Sequence, residues 1–153
     1  MRRPTVLLLC AAVAVSACAR APVIHVRGDP DPRIQRLVSD YTGLWRRETL
    51  PQWEQLFLPG FTVASTNADG SITVRSREDF LAAQRRYHER VSGLREDLEN
   101  VRLDRRGRLA SVWADYVVTE GPGGATRRGR LVLLAIEDRG EYRFHSLMFS
   151  YHG

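Results

Sequence analysis

The feature that most constrains this chain is a change of period. From Leu94 onward apolar and polar residues alternate, and three glycine-bearing turns, at 106–107, 121–124 and 139–140, cut the alternation into four runs. Alternation puts successive side chains on opposite faces of a strand, and turns this short leave no room for a helical crossover. The four runs are therefore predicted to pair as an antiparallel meander. Centring the pairing on the turns sets Val101 against Val112, Val112 against Leu133 and Leu133 against Ser146. One face then carries Val101, Leu103, Ala110, Val112, Ala114, Tyr116, Val118, Leu131, Leu133, Phe144, Ser146 and Met148, apolar enough to pack under helices. The other carries Leu98, Trp113, Asp115, Val117, Arg130, Val132, Leu134, His145, Leu147 and Phe149.

Ahead of the meander the period is helical. Asp31-Pro32 supplies an N-cap and a proline at the first helical position, and Ile34, Leu37, Val38, Tyr41, Leu44 and Trp45 follow at helical spacing, predicting a helix to about Glu48. Thr49 and Gln52 have the spacing of a capping box opening a shorter helix, with Trp53, Leu56 and Phe57 inward and Pro59-Gly60 as its stop. FLPGFTVASTNADG then predicts a strand and a turn at 67–70, followed by a short strand at 72–74. Ser76 caps a third helix with Phe80, Leu81, Gln84 and Tyr87 on its inner side. The expected class is α+β: three N-terminal helices packed on a curved, mostly antiparallel sheet of about six strands.

The chain opens MRRPTVLLLCAAVAVSACAR, in which Arg2 and Arg3 precede an apolar run at 6–15 that is too short to span a bilayer as a helix. That is the layout of a secretory leader. Val15-Ser16-Ala17-Cys18 resembles the bacterial lipoprotein box, so residues 1–17 read as a leader removed before a lipidated Cys18; the small residues at 12–14 leave ordinary signal peptidase open as the alternative. Two or three acyl chains, at about 0.8 kcal/mol per buried methylene, would anchor the protein firmly. Ala19, where Asp would signal inner-membrane retention in lipoproteins, implies the outer membrane facing the periplasm; a periplasmic or secreted protein is the alternative. Residues 18–30, with Pro22, Gly28 and Pro30 and no sustained period, read as a tether, and 31–153 as one domain. With Cys10 in the leader and Cys18 lipidated, no disulfide, thiol nucleophile or cysteine metal site is expected. All 23 basic residues are Arg; removing Arg2 and Arg3 leaves 21 against 18 acids, and the Arg are dispersed, with pairs at 46–47, 85–86, 105–106 and 127–128, which gives no argument for nucleic acid.

The order of elements, with LWRRETLPQWEQLFLPGFTV, RSREDFLAA and Tyr142-Arg143-Phe144 opening the last strand, resembles the nuclear transport factor 2-like superfamily over residues 33–151. The SnoaL-like and ketosteroid-isomerase-like branches are the nearest in pattern. The resemblance implies a cone-shaped fold around a largely apolar pocket, which in relatives serves isomerases, dehydratases, cyclases and plain binders. It also implies where their catalytic groups would fall. Ser65 occupies the position of the isomerases' base, the strand GRLVLLAI has no acid before Glu137, and Ser146 and Met148 stand where many relatives carry His.

Few residues remain for chemistry. The register places Glu99 opposite Ala114 and Asp97 opposite Tyr116, where a carboxylate with a raised pKa could act as a base together with Tyr116; a one-residue slip would turn both acids to solvent. Tyr41, Tyr87, Tyr116 and Ser146 offer hydroxyls to a pocket otherwise lined by Trp45, Trp53, Phe80, Leu131, Phe144 and Met148. His25, His88, His145 and His152 have no metal-ligand spacing, and the 121–124 turn opens no helix as a phosphate loop would, so neither metal nor cofactor is expected. On the outer face Trp113, Val132 and Leu147 align, flanked by Phe149 and by Asp115 facing Arg130, the pattern of a homodimer surface. The function expected is an envelope-anchored domain that binds a small apolar ligand or a protein without transforming it. An isomerase or dehydratase, or a scaffold subunit of an envelope assembly, are the alternatives.

Overall fold

The computed structural model describes residues 24–27, 31–67 and 69–151. The leader and Cys18 lie outside the described residues. Helix α1 (Pro32–Gly43) starts as expected: the Asp31 carboxylate accepts from the Arg33 backbone N–H at 2.9 Å, and Ile34, Leu37, Val38 and Tyr41 form the buried stripe. It ends at Gly43, five residues short of the predicted end. The expected capping box does not form, because the Thr49 hydroxyl donates back to the Leu44 carbonyl at 2.9 Å. Helix α2 (Leu50–Trp53) is consequently a single turn, followed by a 3₁₀ turn over Glu54–Leu56. Pro59-Gly60 falls inside strand β2 (Phe57–Thr66), in the irregular stretch between Phe57 and Thr62, rather than ending a helix. After β3 (Ile72–Ser76), Ser76 caps α3 (Arg77–Arg90), its hydroxyl accepting from the Asp79 N–H at 3.1 Å.

The meander follows as β4 (Leu94–Arg106), β5 (Leu109–Glu120), β6 (Thr126–Asp138) and β7 (Glu141–Tyr151). With β1 (Ile24–Arg27) the described residues form a seven-stranded sheet in the order β1-β4-β5-β6-β7-β2-β3. Strand β1, read from sequence as tether, pairs in parallel with β4, Ile24 opposite Val101. The alternation Ile24-His25-Val26-Arg27 fits a short edge strand, and the prolines and glycine beside it had masked that pattern.

Registers differ in an informative way. Pairing of β5 with β6 is as expected, Val112 opposite Leu133 and Trp113 opposite Val132. Between β4 and β5 the register slips: Leu103 faces Val112 and, beyond a bulge between Glu99 and Arg102, Leu98 faces Tyr116 and Glu96 faces Val118. Asn100 lies in that bulge with φ of 52°, a left-handed conformation Asn tolerates better than most residues. A second bulge leaves His145 without a partner between the Ala135–Phe144 and Leu134–Ser146 pairs. Each bulge flips the side chains beyond it. Leu98 and Leu147 are thereby buried and Phe149 packs against the core, whereas Met148 and Ser146 are turned to the outer face.

The helices cover the inner face. Around Phe57, the rings of Trp53, Phe61, Phe80 and Phe144 lie at 4.5, 4.5, 6.0 and 5.8 Å between centroids, an aromatic plug at the narrow end of the cone. Full burial of each such ring contributes roughly 1.5–3 kcal/mol. Arg33 ties α1 to the β6–β7 hairpin, donating to Glu137 at 2.9 Å and to the Gly140 carbonyl at 2.7 Å while also holding Asp31.

Candidate functional site

Between the plug and solvent the cone keeps a cavity of about 270 Å³. Of the predicted lining residues, Tyr41, Trp45, Trp53, Phe80, Tyr87, Tyr116 and Leu131 line it. Phe144 is buried behind Tyr41, ring to ring at 5.6 Å, as core rather than lining. Ser146 and Met148 are absent from the lining because the β7 bulge points them outward; Leu147 and Phe149, expected on the outer face, take their places. The predicted acids are displaced by the same physics. Glu99 pairs across the outer face with Asp115 and lies 3.4 Å from Arg128, and Asp97 is ion-paired with Arg95 at 2.8 Å.

The carboxylate that does reach the cavity is Glu96, buried on the inner side of β4 between Leu94 and Leu98. Burial pushes its pKa up to about 8, partly offset by a hydrogen bond with the Tyr41 hydroxyl. The group is therefore mostly a neutral acid at pH 7. Burial likewise raises the pKa of Tyr41, Tyr116 and Tyr87, the last to about 12, so all three keep their hydroxyl protons. Tyr116 donates to the Ser150 carbonyl at 3.3 Å. Its ring has room because Gly129 faces it on β6: a Cβ there would lie 2.0 Å from the Ser150 carbonyl oxygen and 2.5 Å from the Tyr116 ring.

The Trp45 indole donates to Gln84 at 3.0 Å and the Trp53 indole to the Tyr41 carbonyl at 2.8 Å, which fixes both rings as walls. At the mouth Tyr87 donates to Glu120 at 2.7 Å, and Arg127 pairs with Glu120 at 2.9 Å while lying over the Tyr87 ring. Arg75 and Arg90 also line the opening. Sequence reasoning missed Glu96, Arg75, Arg90 and Arg127. For Glu96 a signal existed: Leu94 and Leu98 share its parity, and Val101 and Leu103 do not.

Ser65, at the position of the isomerases' base, is buried in β2 opposite Phe149 and is not part of this cavity's lining. Among the described residues no group of three or more His, Cys, Asp or Glu is placed to hold a metal ion. His88 is buried against Trp45 at 4.8 Å, its pKa lowered by burial, and His145 is exposed.

The outer face is a second concavity, broad and open, of about 900 Å³. One row runs across six strands: Arg102, Trp113, Val132, Met148, Ala64 and Val74. Trp113 is 56 % exposed and Met148 48 %, and Arg130 pairs with Asp115 at 3.3 Å beside them. The predicted Trp113, Val132, Asp115 and Arg130 all line this concavity, with Met148 in place of Leu147, and Phe149 borders both it and the cone.

No protein-family profile matches the chain, and no curated protein matches it in sequence. Solved structures do match. A protein of unknown function from Mycobacterium tuberculosis superposes with a TM-score of 0.65 at 18% identity, over 79% of this chain and 70% of that one. A proposed scytalone dehydratase from Novosphingobium aromaticivorans gives 0.66 at 13% identity, covering 80% and 83%. An NTF2-like protein with a cystatin-like fold from the same organism gives 0.64 at 14% identity, covering 78% and 80%. At such identities the likeness concerns architecture alone: this chain has the nuclear transport factor 2-like, cystatin-like fold.

Proposed function

We propose that the domain holds a small apolar or amphipathic molecule in its cone, tethered to the cell envelope through Cys18. The observation that carries this is the cavity itself: about 270 Å³ of space walled by Trp45, Trp53, Phe80, Leu131, Leu147 and Phe149, with polar groups at Glu96, Gln84, the tyrosines and the arginines of the rim. A cavity that served only to fill the fold would be closed by side chains, since interiors pack to crystal density. Native mass spectrometry of protein purified from its own envelope tests the reading. A retained small molecule, absent from a Leu131→Trp variant that fills the cone, is the expected result; protein free of ligand under the same conditions counts against it. The anchor is tested by Cys18→Ala, expected to abolish detergent partitioning.

A second reading is favoured by Glu96. The expectation of a cone without catalysis followed from the Ser at the isomerases' base position and from the want of a matched acid and base, and Glu96 supplies an inward carboxyl group from another strand. A carboxyl group with a pKa near 8 can give or take a proton near neutral pH, and Tyr41 and Tyr116 line the same cavity with hydroxyls that would have to leave Glu96 and the Ser150 carbonyl to donate to a developing oxyanion. Such a set would suit an isomerase or dehydratase, and the solved structures of this fold include proposed dehydratases. If the retained molecule is a carbonyl or hydroxy compound, turnover lost in Glu96→Gln with binding kept identifies the catalyst. Binding without turnover in the parent protein leaves the first reading standing.

We propose a second copy of the chain as the occupant of the outer face: the exposed Trp113 and Met148, with Val132 between them and the Arg130–Asp115 pair beside them, have the apolar centre and charged edge of a homodimer surface.

A further inference from the structure

The charges that face the cone are not balanced, and their arrangement narrows the ligand. Resting on the reading of the cone as a small-molecule pocket, we propose that its ligand is an anionic amphiphile whose carboxylate, or similar oxyanion, is held by Arg75 at the opening and whose apolar body lies against the aromatic walls. Arg75 closes an inner-face row that runs Leu103, Val112, Leu133, Leu147, Val63, Arg75 across six strands. Every other member of that row is a buried aliphatic residue. A guanidinium at the end of it sits over the cavity instead of over solvent on the outer face, and Arg75 is half-buried and lines the cavity.

Arg75 also has no hydrogen-bond or ion-pair partner among the described residues, unlike Arg33, Arg85 and Arg127, each of which is paired with an acid. Five N–H donors in a planar fork, partly withdrawn from water and unmatched, suit a carboxylate that arrives from outside. Arg90 and Arg127 add positive charge to the same rim. The acid lining the cavity is Glu96, which lies deep beside Tyr41, while Glu120 is engaged by Arg127 and Tyr87. An incoming anion therefore meets a positive opening before an apolar interior, an order that both attracts and orients it. The size fits a modest molecule: about 270 Å³ lies just under the usual range of roughly 300–1,000 Å³ for ligand pockets.

Isothermal titration calorimetry with decanoate and decanol, both below their aggregation limits and at pH 7.5, separates charge from apolar fit. Decanoate is expected to bind at least about ten-fold tighter than decanol, the scale of a charge-assisted hydrogen-bonded pair. Arg75→Gln is expected to erase that preference and leave decanol binding unchanged. Because the Arg75 guanidinium has no partner among the described residues, the substitution breaks no ion pair there and should leave thermal stability intact. Equal affinities in the parent protein, or a preference that survives Arg75→Gln, would overturn the anionic-ligand proposal while leaving the pocket reading in place. If neither compound binds, and native mass spectrometry of protein from its own envelope finds no retained molecule, the pocket reading itself fails and takes the proposal with it.

Discussion

Replacing Glu96 by Gln should make the protein more stable, and increasingly so as pH rises. Glu96 is buried with a pKa near 8, against about 4.5 when the chain is unfolded. Between those values the unfolded chain has released its proton while the folded chain retains it, so the folded state binds more protons and stability falls with rising pH. Each unit of difference is about 1.36 kcal/mol, and a gap of roughly 3.5 units therefore costs up to about 5 kcal/mol by pH 8. Water entering the cavity or local relaxation would reduce this, which makes it an upper bound. Gln fits the same space and can still bond to Tyr41, but has no proton to keep.

Urea unfolding of the two proteins across pH 5 to 8 measures the effect as a difference, which cancels what other groups contribute, including His88, whose lowered pKa works in the opposite sense. Near pH 5 the two curves should lie within about 1 kcal/mol, and near pH 8 the Glu96→Gln variant should be ahead by about 3–5 kcal/mol. Parallel stability profiles over that interval would show that the carboxyl group ionises as freely folded as unfolded. The buried position of Glu96, and every chemical role argued from it, would then be wrong.

Trp113→Glu should shift the protein from dimer to monomer at micromolar concentration in light scattering without lowering its melting temperature; a monomeric parent would reject the outer face as an interface. Gly129→Ala should destabilise by about 1–3 kcal/mol in chemical denaturation, since the added methyl must displace the Tyr116 ring and the Ser150 carbonyl. Deleting Asn100 should abolish soluble expression or cooperative unfolding, because losing the bulge would turn Leu94, Glu96 and Leu98 to the outer face; Asn100→Gly, which keeps the residue count and suits φ of 52°, should unfold within about 1 kcal/mol of the parent.

Much of the fold was legible because its signals are local. Asp31-Pro32 and Ser76 cap the helices where they should, and the turns at 106–107, 121–124 and 139–140 place the meander. Two registers beside those turns are as anticipated, the whole of β5 with β6, and β6 with β7 as far as Ala135 and Phe144, whereas beside the 106–107 turn β4 and β5 pair two residues off the expected register, a shift that keeps the faces. Away from a turn nothing local enforces phase, and one extra residue suffices to reverse it. Glu99 and Asp97 were candidates because the period was carried unbroken through Asn100, and Met148 and Ser146 because it was carried unbroken through His145. Arg75 was invisible for another reason: a lone Arg on a short strand reads as solvated until the sheet's row shows what lies beside it.

The two bulges were not equally hidden. In β4 the apolar residues Leu94 and Leu98 have one parity and Val101 and Leu103 the other, so an unbroken strand would expose one pair or the other; only an inserted residue lets all four be buried, as they are. Charge on the opposite phase, at Arg95, Asp97, Arg102 and Asp104, sharpens the contrast. In β7 the residues after His145 read Ser146, Leu147, Met148, Phe149, with apolar side chains on both phases. Either register would bury a hydrophobic pair there, and burial alone does not choose between them. The same ambiguity explains why the outer row kept its apolar character although its β7 member changed from Leu147 to Met148, while the inner site changed its chemistry outright. A shift between two apolar side chains preserves a surface; one that brings Glu96 inward in place of Glu99 and Asp97 makes a different cavity.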